Sequence, residues 1–134
     1  LIDKLYNLKK NQTEQKLIEK STLEHEVDRI NEEVNSIQHR INTATVDKFG
    51  SISDFMILAM HKDSLRFYMQ ELLVKKNTLL KKIEGLLYEI IELQKESEQY
   101  KYILEEEKKE KNKILMDMQA LESEEFIQSK YIRA

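Results

Sequence analysis

The sequence predicts an all-α protein: a long two-helix antiparallel coiled-coil hairpin whose second helix is extended. Three observations predict it. The 134 residues contain no proline and only two glycines, so the punctuation that strands and tight loops need is missing. Apolar residues recur at alternating steps of four and three through both halves of the chain, the spacing of a coiled-coil seam. Residues that favour bends collect at one place, near the end of the first third.

The first helix is expected over about residues 1–44. Leu23, Val27, Ile30, Val34, Ile37, Ile41 and Ala44 step by four and three along it, which puts them on one stripe. Leu1, Leu5 and Leu8 have the same spacing but stand one residue out of phase, and no apolar residue lies between Lys9 and Lys16. Two four-residue stutters, with a locally unwound supercoil, would reconcile the two phases.

The bend is expected at about residues 45–53. There β-branched, turn-forming and glycine residues occur together in Asn42-Thr-Ala-Thr-Val-Asp-Lys-Phe-Gly-Ser-Ile-Ser53. Gly50 is suited to a positive φ, and Ser51 or Ser53 to capping the exposed amides of the next helix. A connection this short makes the neighbouring helices antiparallel.

The second helix is expected over about residues 54–132. Leu58, Leu65, Leu72, Leu79, Leu86, Leu93 and Tyr100 recur every seven residues, with Phe55, Met69, Ile83, Ile90 and Leu104 at the companion positions. Lys62, Lys76 and Ser97 are the polar exceptions. After the charged run Glu105 to Lys113, the residues Ile114, Met118 and Leu121 resume the same phase. Such a helix is on the order of 120 Å long. If the seams zip outward from the bend, it outruns the first helix by roughly 35 residues by heptad counting. The sequence opens at Leu1 rather than Met, so further N-terminal residues are expected, and these would cover part of the excess.

Composition narrows the function. Charged residues make up 35% of the chain and apolar ones 40%, with 22 basic against 25 acidic side chains. The signs are mixed throughout, so no sustained basic face points to nucleic acid. The longest apolar run, Phe55 to Met60, falls far short of a bilayer span of roughly 20 residues, and a soluble protein without membrane insertion is expected. Without cysteine there is no disulfide or thiolate chemistry, which is compatible with a cytoplasmic home. His25 and His39 fall at the outermost heptad position and His61 beside it. They do not cluster with carboxylates as a metal or acid/base site requires. No glycine-rich phosphate loop or nucleophile elbow occurs. A non-catalytic protein that needs no cofactor or metal is expected, acting by binding other proteins.

Three features are candidates for that binding. Leu73, Leu80 and Leu87 flank the seam leucines, and Val74 and Ile91 widen the same region. This makes a face broader than one partner helix covers, used either for a partner or self-association, or for repacking within the hairpin. Phe49, Phe55, Phe67 and Tyr68 near the bend are either loop core or a recognition tip. The run Glu105 to Lys113 carries Glu105 with Lys109 and Glu107 with Lys111 at helical i,i+4 spacing. It is either a solvated rod or a charged collar for a partner.

A first helix ending near Ile41, a short polar bend, and a longer second helix closing on Ala120-Leu-Glu-Ser-Glu-Glu-Phe-Ile-Gln-Ser-Lys-Tyr-Ile-Arg133 together resemble the FliJ family, coiled-coil proteins of the flagellar type III export apparatus. Tyr100-Lys-Tyr-Ile-Leu-Glu-Glu-Glu-Lys-Lys resembles that family's charged segment, and Glu122 to Glu125 its acidic cluster. The resemblance spans nearly the whole chain. It implies a stalk inserted in a hexameric export ATPase, with contacts to the export gate and export chaperones. It also implies a cytoplasmic place, peripheral to a membrane-embedded export apparatus. It further implies that Phe126, Lys130, Tyr131 and Arg133 engage the ATPase, with Phe67, Tyr68 and Met69 as contacts nearer the bend. The alternative from the residues alone is a structural tether or scaffold fragment that forms a homodimer through residues 72 to 93. A holdase of the prefoldin type ranks below both, because the linker is too short for that fold's β-hairpins.

Overall fold

The computed structural model describes residues 1–46 and 50–133. Two helices account for nearly all of them: α1, Ile2–Thr43, and α2, Ile52–Arg133. The expected bounds agree with these to within two residues. The chain divides into two units, one of Glu14–Ile91 and the other of Leu1–Thr13 with Glu92–Ala134.

The Glu14–Ile91 unit is a helical hairpin. Its helices are antiparallel, as the ion pairs and hydrogen bonds across it require: Lys16 meets Glu89, Glu26 meets Lys75 and Glu33 meets Tyr68, one number rising as the other falls. The core is the stripe read from the sequence. Val27, Ile30, Ile37 and Ile41 of α1 are buried against Leu65, Leu72 and Leu79 of α2, with Leu23, Val34, Met69 and Ile83 packed at the edges. Leu86 and Ile90 are buried as well. Each such side chain contributes about 1.5–3 kcal/mol on leaving water, and this burial offsets the entropy of ordering two long helices.

Ser51 begins α2. Its hydroxyl accepts from the Asp54 amide at 3.2 Å, and its own amide donates to the Asp54 carboxylate at 3.1 Å. This reciprocal cap uses Asp where Glu or Gln is usual, and Ser53 lies inside the helix. The bend proper, Asp47 to Phe49, lies outside the described residues, and no glycine among the described residues takes the positive φ expected of Gly50. Phe55 does not join the seam: it is 47% exposed, because α1 ends at Thr43 and offers no opposing turn.

In the other unit, Leu1–Thr13 packs against the first turns after Glu92. Thr13 is buried and donates from Oγ1 to the Lys9 carbonyl at 2.8 Å. The Ser97 hydroxyl is buried without a hydrogen-bond partner. From Glu105 to Ile132 the side chains of α2 are exposed.

The expected stutters do not occur. The protected positions of α1 below Leu23 include Lys20, Lys16, Thr13, Lys9, Tyr6 and Ile2, which carry the seam on in one phase, with Gln12 and Leu5 partly covered beside it. Leu1 and Leu8 are exposed instead, at 93% and 50%. Lysines hold seam positions because their aliphatic stems cover apolar surface while the ammonium reaches a carboxylate at the edge. Lys16 bonds Glu89 at 3.2 Å, and Lys9 bonds Glu96 at 2.6 Å.

Candidate protein-binding surfaces

The side chains available to a partner are set by where each falls on the helix. In the hairpin unit, positions facing away from α1 on one flank of α2 are apolar: Met60, Phe67, Val74 and Tyr88 are 65–68% exposed, while Leu80 and Leu87 are 42% and 46% exposed. Leu73, between them in the sequence, is half-buried. Of the flank Leu73, Leu80 and Leu87, the last two are exposed, and Val74 and Ile91 beside them are exposed as well.

The contacts expected nearer the bend separate. Phe67 stands in solvent. Tyr68 donates its hydroxyl to Glu33 at 2.6 Å, which ties it to α1. That hydrogen bond to a carboxylate holds the phenol above the usual tyrosine range. Met69 is partly buried against the core, because it occupies a seam position, and so offers little accessible surface. Phe49 lies outside the described residues. A shallow open depression by the start of α2 is lined by Val46, Asp54, Ile57, Leu58 and His61.

In the unit containing the second half of α2, Phe126 and Tyr131 are 71% and 80% exposed, and Lys130 is exposed with them. The Arg133 side chain lies outside the described residues. Helical spacing separates Phe126 and Lys130 from Tyr131 by more than a quarter turn, so they form one end of a helix rather than one pocket. The charged run behaves as a solvated helix, with a correction to its pairing. Neither expected i,i+4 pair forms, and Lys109 instead meets Glu106 at 3.5 Å.

Electrostatics strengthen the pairing of the helices. The Lys9 ammonium is held above the ordinary lysine range by its hydrogen bond to Glu96, and Lys16 likewise by Glu89. Among the described residues no group of three or more His, Cys, Asp or Glu could hold a metal ion. No helix among them is long and apolar enough to cross a membrane. Sequence reasoning singled out Phe67 and Val74 but missed Met60 and Tyr88, which share their stripe. The signal was there, since Met60, Phe67, Val74, Lys81 and Tyr88 recur every seven residues at the position opposite the seam.

Comparison with protein-family models, with curated proteins and with solved structures finds no match.

Proposed function

We propose that this chain is a non-catalytic, protein-binding helical module, and that its finer role is that of a stalk for the hexameric ATPase of a flagellar export apparatus. The observation that carries this reading is the second half of α2. Ile114, Leu115, Met118, Leu121, Phe126 and Tyr131 are all more than half exposed there. Apolar side chains in this density on a preformed helix suit a protein partner, because docking them costs little further ordering. A stalk needs stiffness, length and two separate contact zones. The terminal group Phe126, Lys130, Tyr131 and Arg133 would meet the ATPase. Phe67, Leu80 and Leu87 would meet the gate or an export chaperone, on the cytoplasmic side of the apparatus.

The test is co-sedimentation of the chain with a purified hexameric export ATPase, together with its hydrolysis rate. Ending the chain at Ala120 should abolish binding and stimulation while the hairpin melts at its original temperature. A full chain that does not bind the ATPase, or a shortened one that binds equally, defeats the stalk reading.

The exposure of Val74, Leu80, Leu87 and Ile91 favours a second reading, a structural tether that dimerises through residues 72 to 93. Replacing Leu73, Leu80 and Leu87 together with Gln separates the two. Loss of self-association with ATPase binding intact supports the tether face as an independent site, whereas simple melting makes those leucines core.

A further inference from the structure

The exposed part of α2 repeats the pattern of the paired part without a partner. Ile114, Met118 and Leu121 keep the four-three phase set by Leu93, Ser97, Tyr100 and Leu104, yet they are 53%, 55% and 59% exposed. A solvated helix has no use for that phase, since its turns are supported by charged pairs along the surface. We infer that this stripe is a coiled-coil seam for a second copy of this chain, the two copies pairing antiparallel through Glu105 to Ile132 with Met118 near the centre.

Charge decides both the partner and its direction. Lys108, Lys109, Lys111 and Lys113 precede the apolar stripe with Glu110 as the only acid among them, and Glu122, Glu124 and Glu125 follow it. Apart from the Lys109–Glu106 contact, none of these makes an ion pair among the described residues. An antiparallel second copy lays each lysine cluster against the other copy's glutamates, twice over. A parallel copy sets lysine against lysine and glutamate against glutamate.

Seam positions agree with this symmetry. An antiparallel pair sets the a residues of one copy beside the d residues of the other, so Met118 lies against Leu121 of the second copy as the central apolar layer. Phe126 and Lys130 lie off this seam. The inference therefore does not rest on the ATPase reading and survives its failure.

Sedimentation equilibrium of the 134-residue chain tests it, from micromolar to submillimolar concentration. The expected mass is twice the monomer's 16.1 kDa. Met118→Asp with Leu121→Asp should return the monomer while circular dichroism shows the hairpin's melting midpoint unchanged. Changing Lys108, Lys109, Lys111 and Lys113 to Glu should weaken the dimer at least tenfold, and adding Glu122, Glu124 and Glu125 to Lys should restore it. A monomer throughout overturns the inference, as does a dimer that survives the double Asp variant. A dimer indifferent to the charge exchanges overturns the antiparallel arrangement.

Discussion

The hairpin residues Glu14–Ile91 and the exposed stretch Glu105–Ile132 are written in the same heptad phase and in similar residues, yet they owe their helicity to different causes. In the hairpin, the buried leucines and isoleucines of the seam, Ile30, Ile37, Ile41, Leu65, Leu72, Leu79, Leu86 and Ile90, are 2–8% exposed, held by the packing of the two helices. In the exposed stretch the same phase meets solvent, and only propensity and local charge hold the turns. The comparison shows that a seam pattern specifies a need for a partner without specifying where the partner comes from.

The sharpest way to break this comparison is to put a carboxylate into each region. Leu79→Asp places an unpaired charge in the buried cluster of the hairpin seam, and should cost more than about 3 kcal/mol. Thermal melting followed by circular dichroism should show the hairpin collapsing, while Met118→Asp should leave the same midpoint in place for the monomer. Equal effects from the two would mean that the hairpin's stability is not in its seam.

A smaller effect tests propensity alone. Gly85 lies on the outward side of the paired helix, and a methyl group added there meets nothing within 4 Å. Gly85→Ala should therefore stabilise the hairpin by about 1 kcal/mol. Asn112→Ala in the exposed stretch should add helicity without moving the midpoint. A Gly85→Ala protein that melts earlier would place a partner or a strained turn at that site.

The smallest effect is a pH dependence of the paired regions only. Lys9 and Lys16 are raised by hydrogen bonds to Glu96 and Glu89, and Tyr68 by its bond to Glu33. A raised folded value means that the folded state holds the proton more tightly. These contributions are thus complete below the groups' ordinary values and are lost as pH rises through the folded ones, above pH ~10. The melting midpoint should fall slightly over that alkaline window. Lys9→Met, Lys16→Met and Tyr68→Phe together should remove the dependence, and a midpoint that still falls equally would assign it to other groups.

The sequence by itself determined the helices, the seam of the hairpin and a serine cap at Ser51 or Ser53, because each depends on spacing or on residues within one turn. Heptad steps from Leu23 to Ala44 and from Leu58 to Leu104 required only that apolar side chains share a face. Tertiary structure alone decided which residues of that pattern are covered. Lys9 and Lys16 look polar in the sequence but lie in the seam, since a lysine stem is apolar and each ammonium finds its carboxylate, Glu96 or Glu89, only once another helix is beside it. Leu1, Leu8 and Phe55 look like core and are exposed, because burial requires an opposing side chain. The candidate surfaces follow the same rule: Met69 was withdrawn into the packing and Phe67 left outside it by their angle about one helix axis, which matters only after α1 has taken its place.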